Sequence, residues 1–147
     1  MPKNKALKIV VDTNLWISFL ISDRLNIFDS LIFSRKIKFA FSKELFDEIR
    51  QTIQKPKLKK YFAENNVFEK MLSVIEPFAN LVEVTSTINI CKDPNDDFLL
   101  ALAKDSNADY LLTGDKDLLE LKTFGKTKIT TVSDFLTGIL NDLKMKN

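Results

Sequence analysis

Short apolar runs alternate with longer amphipathic stretches along the whole chain. The runs typical of strands are LKIVVD, IKFAFS, VEVTSTINI, ADYLLTGD and KITTV. The stretches between them carry apolar residues at helical spacing, as in NNVFEKMLSVIEPFANLV. Strands that alternate with helices predict an α/β domain in which a mostly parallel sheet is covered by helices on both faces.

The composition is that of a globular domain of ordinary size. The chain has 147 residues, 45% of them hydrophobic, with three glycines and four prolines. No linker or repeat interrupts it, so we predict a single domain over residues 1–147. One cysteine and no histidine exclude a disulfide framework, a structural zinc site and a Cys–His nucleophile pair.

The sequence carries no sign of a membrane segment or a signal peptide. The apolar stretch LWISFLI is interrupted by Ser18 and falls far short of the roughly 20 residues that span a bilayer. The N-terminus goes directly into a strand-like run and lacks the apolar core of a signal peptide. A lone cysteine also suits a reducing compartment. We therefore predict a cytoplasmic protein that does not enter the membrane.

Acidic residues gather at turns, although the whole chain has a formal charge of +2. Asp12 ends the first predicted strand, and Asp96 and Asp97 begin the helix after the third. Asp115 and Asp117 follow the strand-like YLLTG. Ligands of open parallel sheets bind beyond the carboxyl ends of the strands. We therefore expect these three groups of acids to meet at one edge of the sheet.

A fourth acid comes from the predicted helix SKELFDEIRQTIQK. At about 100° per residue, Leu45, Ile49 and Ile53 form its apolar stripe. Glu48 is the acid nearest to this stripe and lies at its border. We expect Glu48 to lean over the edge of the sheet and to join the other acids.

Each acid alone has a simpler explanation. Asp12 can cap the helix that follows it, Asp97 suits the first turn of a helix, and DPND and TGDKD are ordinary turn sequences. Together the acids predict one cluster, and close carboxylates raise one another's pKa unless a counter-charge is present. There is no histidine, and no lysine or arginine is evidently placed among them. A hard divalent cation, Mg²⁺ or Mn²⁺, fits carboxylate oxygens best.

Four segments together resemble the PIN-domain family. They are VVDTN, SKELFDEI, DPNDDFLLALAKDSNADYLLTGDKDLL and ITTVSDFL, and the match that they carry spans nearly the whole chain in order. They are most similar to the prokaryotic VapC-like nucleases, the toxin components of toxin–antitoxin pairs. The resemblance implies a three-layer α/β/α sandwich with a mostly parallel sheet. It also implies a metal-dependent endoribonuclease.

The resemblance assigns the site residue by residue. The implied metal-binding and catalytic acids are Asp12, Glu48, Asp97 and Asp115, with Asp117 as a helper, and the supporting residues are Asn14, Thr113 and Asp96. Within the acidic doublet, Asp97 is preferred to Asp96 as the ligand because FLLALA follows it directly. Mg²⁺ or Mn²⁺ would activate water and relieve charge at the phosphate, and Glu48 would either bind metal or hold the attacking water.

Basic residues near the acids are candidates for contacts with RNA phosphates. They are Arg50, Lys55, Lys57, Lys59, Lys60 and Lys116. The resemblance further implies a homodimer and, for toxins, an inhibitory antitoxin protein. Twelve phenylalanines and one tryptophan offer more apolar surface than a small domain easily buries. We predict contact surfaces around Phe28, Phe33 and the segment Phe62 to Met71, and the alternative is that all of them are core.

Two other classes of protein are compatible with parts of this pattern. A nuclease fold used only to bind RNA or to assemble with other proteins would keep the sheet and the lysines without turnover. A phosphorelay receiver would need an acidic pair after the first strand and a lysine after the last. Here Thr13 and Asn14 follow Asp12, and KITTVSDF has no lysine after its strand. We therefore favour the ribonuclease.

Overall fold

A six-stranded sheet forms the centre of the molecule. The computed structural model describes residues 6–22, 25–62 and 66–145. The strands are β1 (Leu7–Val11), β2 (Ile37–Phe41), β3 (Ala79–Leu81), β4 (Tyr110–Leu112), β5 (Thr123–Phe124) and β6 (Thr127–Thr130). Their order is β3-β2-β1-β4-β6-β5, and every neighbouring pair is parallel except β5 with β6. The predicted mostly parallel sheet is confirmed.

Helices connect the strands and cover the sheet. They are α1 (Thr13–Ser22), α2 (Asp29–Phe33), α3 (Lys43–Ile53), α4 (Pro56–Phe62), α5 (Val67–Ile75), α6 (Pro94–Ser106), α7 (Lys116–Leu121) and α8 (Val132–Met145). From β1 the chain adds β2 and then β3 on one side of the sheet. It then returns through α6 to β4, which pairs with the other side of β1. Right-handed crossovers in opposite directions place helices on opposite faces, which gives the predicted three-layer sandwich. No helix among the described residues is long and apolar enough to cross a membrane.

The core lies where helices pack on the central strands. Ile9, Val10 and Val11 of β1 are fully buried, because a parallel sheet is covered on both faces. Trp16 of α1 stacks on Phe41, with ring centroids 5.1 Å apart. These contacts fix the end of β1 and the start of α1, where Asp12 lies.

The prediction of a strand at VEVTSTINI is wrong. The third strand ends at Leu81, and the backbone N–H of Val82 makes one more bond to the carbonyl of Phe41 at 2.8 Å. Beyond it, Asp105 of α6 accepts hydrogen bonds from the N–H groups of Thr85 and Ser86 at 2.7 and 2.9 Å. Side chains of residues 82–89 alternate between partly buried and exposed, as in a strand. The side chains therefore alternate as they do in a strand, but the carboxylate of Asp105, and not a neighbouring strand, accepts the hydrogen bonds of the backbone.

The predicted contact surfaces are only partly exposed. Phe28 is fully buried between two other aromatic rings, so its assignment to a contact surface is wrong. Phe33 is 71% exposed, as a contact residue should be. Residues 63–65 and the side chains of Val67 and Met71 lie outside the part of the chain that the structure describes.

Candidate active site

The candidate site lies where the strand order reverses, between β1 and β4. Val11 and Leu112 are partners in the register of these parallel strands, so the next residues, Asp12 and Thr113, leave the sheet side by side. The N–H of Asp12 donates to the carbonyl of Leu112 at 3.0 Å. Such a switch point opens a crevice beyond the carboxyl ends of the strands, and ligands of open α/β sheets bind there.

The two carboxylate oxygens of Asp12 have different partners. Oδ1 accepts the N–H of Asn14 at 2.8 Å and so caps α1. Oδ2 accepts the hydroxyl of Thr113 at 2.7 Å, and that hydroxyl accepts the N–H of Asp115 at 3.0 Å. Asp12 therefore caps a helix and also belongs to the acidic site. Burial raises its pKa, the hydrogen bonds from Thr113 and Asn14 oppose the rise, and the charges of Asp115 and Asp93 add to it.

Side chains from several elements line one cavity of about 180 Å³ beside Asp12. The lining residues are Asp12, Thr13, Asn14, Glu48, Thr52, Lys55, Asp93, Asn95, Asp96, Leu99 and Asp115. Glu48 reaches the cavity because Ser42 caps α3, accepting the N–H of Leu45 at 3.1 Å, and because Leu45 and Ile49 are fully buried. The expected approach of Glu48 to Asp12 and Asp115 is what the structure shows.

The acidic doublet is divided between two tasks. Asp96 lines the cavity, whereas Asp97 does not. Oδ1 of Asp97 instead accepts the N–H groups of Ile90 and Cys91 at 3.1 and 2.9 Å. Helix α6 begins at Pro94 after the cap residue Asp93, and neighbours on a helix point about 100° apart. The preference for Asp97 as the acid in the cluster is therefore wrong, and Asp96 occupies that place.

Asp96 shows how strongly the cluster needs a counter-charge. Burial, a hydrogen bond shared with the carboxyl of Asp115 and the charges of Asp115, Asp93 and Asp12 raise its pKa to about 7. Two carboxyl groups in hydrogen-bonding contact cannot both ionise without cost, and a cation beside them would favour the ionised pair. The pKa of Asp97 is lowered by hydrogen bonds from backbone N–H groups, and the bond from Cys91 has the largest effect.

The donor set fits a hard divalent cation. Every potential ligand is an oxygen atom, and Mg²⁺ is usually held by one or two carboxylates with several waters. Within residues 6–22, 25–62 and 66–145, no three carboxylate or thiol groups are already arranged to hold an ion. Waters usually complete the shell of Mg²⁺, so fewer than three carboxylates can hold the ion.

A model of PIN domain sequences matches residues 8–117. The chain belongs to the PIN domain family. An uncharacterized protein of Methanocaldococcus jannaschii, MJ1680, is 34% identical over 123 residues, which cover 82% of this chain and 78% of that protein. PIN domains are nucleases, which makes a hydrolase acting on nucleic acid the expected class.

Two solved structures share the PIN domain's fold. VapBC2 from Rickettsia felis, bound to a DNA fragment from its promoter, aligns with a TM-score of 0.57 at 13% identity, covering 84% of this chain and 97% of that one. VapC20 from Mycobacterium tuberculosis, a toxin that cleaves the sarcin–ricin loop, gives 0.52 at 12% identity, covering 82% and 98%. At such identities the likeness concerns the fold, and it confirms the predicted PIN-like sandwich.

The remaining predicted residues of the PIN domain site divide by position. Asn14 and Thr113 line or support the cavity, in line with the supporting places given to them. Asp117 has an exposed side chain outside the cavity, and its N–H donates to Oδ1 of Asp115 at 2.9 Å. Its backbone N–H therefore serves Asp115, and its place as a metal ligand stays a prediction.

The predicted basic residues differ in what surrounds them. Lys55 lines the acidic cavity with an exposed side chain, contrary to the expectation that no cation stands among the acids. The guanidinium of Arg50 lies 5.4 Å from the ring centroid of Phe68, and Lys60 lies 5.1 Å from that of its neighbour Tyr61. All six predicted basic residues are exposed: Arg50, Lys55, Lys57, Lys59, Lys60 and Lys116.

Sequence reasoning did not assign four polar residues of the cavity to the site, and one of them is Thr13, which follows Asp12 at the start of α1. Asp93 and Asn95 enter with the first turn of α6, which begins earlier than expected because Asp93 accepts the N–H of Asn95 at 2.9 Å. Thr52 enters from α3, one turn after Glu48. The spacing of Glu48 and Thr52 at i and i+4 is the signal that identifies one shared face of α3.

Proposed function

We propose that this PIN domain is a metal-dependent endoribonuclease. One observation carries the proposal: Asp12, Glu48, Asp96 and Asp115 come from distant parts of the sequence and line a single cavity at the switch point of the sheet. An acidic residue that only forms a turn or caps a helix does not need other carboxylates beside it. Clustered carboxylates, of which Asp12 and Asp96 have raised pKa values here, are typical of sites that hold hard cations and cleave phosphodiesters.

The chain's residues would share the work as follows. Asp12, Asp96 and Asp115 would hold Mg²⁺ or Mn²⁺, and Glu48 would complete the set or orient the attacking water. The ion supplies an activated water and charge relief at the phosphate. Thr113 holds Asp12 and the backbone of Asp115 in one arrangement through its hydroxyl.

The toxin role is a finer part of the proposal. Both structural neighbours are VapC or VapBC proteins by name, and one is a toxin that cleaves an RNA loop. We propose by analogy that this chain acts on RNA, forms a homodimer and pairs with an antitoxin protein that restrains it. Expression of the chain alone should then slow growth, and co-expression of the neighbouring reading frame should restore it.

A panel of RNAs tests the nuclease directly. Single-stranded oligonucleotides, a tRNA and a sarcin–ricin loop hairpin are incubated with the protein in EDTA, Mg²⁺ or Mn²⁺. We expect cleavage of at least one RNA with metal and none in EDTA. Binding of RNA without any metal-dependent cleavage would favour the alternative, a nuclease fold that serves only as an RNA-binding or assembly module.

Removal of the Thr113 hydroxyl should slow cleavage about 10- to 100-fold, the usual cost of losing a partner of a metal ligand. In Thr113→Val, Oδ2 of Asp12 loses the 2.7 Å hydrogen bond that opposes the rise of its pKa. The pKa of Asp12 should rise further, and the acid limb of the pH–rate profile should move to higher pH. The control Thr113→Ser keeps the hydroxyl and should keep the wild-type profile, whereas equal profiles for both variants would contradict this role.

A further inference from the structure

We propose that Lys55 binds the phosphate of the nucleotide that is cleaved, and this inference rests on the proposed nuclease function. Lys55 is the one basic residue among the side chains that line the acidic cavity. Five carboxyl groups line it as well. A phosphodiester carries a negative charge and is repelled by them, so a cation at the cavity is a feature that substrate entry requires.

The backbone fixes Lys55 at the outer end of the site. Its N–H donates to the carbonyl of Thr52 at 3.1 Å, and its own carbonyl accepts the N–H groups of Leu58 and Lys59 at 2.9 Å each. Lys55 is thus the joint between α3 and α4. Helix α3 ends at Ile53, so Lys55 lies two residues beyond the helix that carries Glu48. Its side chain is exposed and also lines the cavity, so it is open to a ligand that enters from solvent.

Lys55 is not committed to an internal ion pair. Among the described residues, one pair alone lies within 4.0 Å, Lys126 with Asp109 at 3.4 Å, on the opposite edge of the sheet. A lysine placed to neutralise the cluster would approach a carboxylate to that distance. The ammonium group is a compact point charge with three donors, which suits a phosphate oxygen entering from solvent.

Comparison of Lys55→Met with a charge-matched control tests the contact. Lys36→Met is the control, because Lys36 is exposed just before β2, at the opposite edge of the sheet. In single-turnover assays with Mn²⁺, we expect Lys55→Met to slow cleavage about 10- to 100-fold, as for loss of a charged hydrogen bond. Lys36→Met should stay within about threefold of the wild type.

Binding of Mn²⁺ separates a substrate contact from a structural role. Removal of a positive charge from the cavity should leave Mn²⁺ affinity unchanged or raise it, whereas a disturbed site would bind the ion more weakly. Slower cleavage with retained Mn²⁺ binding supports the proposal. Equal rates for Lys55→Met and Lys36→Met, or loss of Mn²⁺ binding in Lys55→Met, would overturn it.

A binding assay keeps this inference distinct from the nuclease function. If the wild type cleaves no RNA, the nuclease proposal fails, and fluorescence anisotropy of a labelled single-stranded RNA in Ca²⁺ still reports on Lys55. A binding constant weakened about tenfold or more in Lys55→Met, but not in Lys36→Met, would support the phosphate contact without turnover. Equal affinities of the two variants would refute it.

Discussion

Replacement of Asp12 by asparagine should abolish metal-dependent cleavage while leaving the fold intact. We expect a loss of at least about 1,000-fold, because changes to the partners of metal ligands already cost 10- to 100-fold. The asparagine can still accept the N–H of Asn14 and can donate to the hydroxyl of Thr113. Burial and the charges of Asp115 and Asp93 disfavour the ionised Asp12. Removal of that charge should therefore preserve or raise the thermal stability of the metal-free protein.

Two measurements decide this expectation. Cleavage rates in Mn²⁺ report on the site, and thermal unfolding in EDTA reports on the fold. The control is Asp29→Asn, which removes the same charge from an exposed position at the start of α2. An Asp12→Asn protein that melts like the wild type and keeps its metal-dependent rate would remove Asp12 from the site.

Much of this fold follows from local sequence patterns. The buried apolar run of β1 places Asp12 at the end of that strand, and the apolar stripe of α3 places Glu48 at its border. Burial of an apolar face determines where the adjoining polar residue points. The same rule failed at residues 82–90. Their alternating pattern indicates that successive side chains differ in exposure. It does not indicate whether a neighbouring strand or a carboxylate such as Asp105 accepts the hydrogen bonds of the backbone N–H groups.

The errors at the site have a similar origin. Choosing between Asp96 and Asp97 requires the start of α6 to be known to a single residue, and helix boundaries are the least certain part of a sequence-based prediction. Lys55 could not be placed because its position depends on the joint between α3 and α4. Elements and their order follow from hydrophobic periodicity, whereas the direction of one side chain depends on caps and tertiary contacts.

The acidic doublet provides a pair of substitutions with opposite expected effects. Asp96→Asn should lower the cleavage rate at least about 100-fold, because Asp96 lines the cavity with the other acids. Asp97→Asn should keep the rate within about tenfold of the wild type. It should instead lower thermal stability, because the charge of Asp97 strengthens the hydrogen bonds from Ile90 and Cys91.

The pH dependence of unfolding in EDTA should separate the two acids even if both variants lose activity. The pKa of Asp96 is raised to about 7, so the folded protein binds more protons than the unfolded chain between about pH 4 and 7. Asp96 therefore reduces stability as the pH rises through that window, and Asp96→Asn should melt higher than the wild type near pH 8. The pKa of Asp97 is lowered, so its stabilisation is present above about pH 4 and is lost as the pH falls through its folded value. Asp97→Asn should then melt at a lower temperature than the wild type at pH 8 and at the same temperature in acid. If Asp97→Asn melts above the wild type at pH 8 and Asp96→Asn below it, Asp97 and not Asp96 belongs to the acidic cluster.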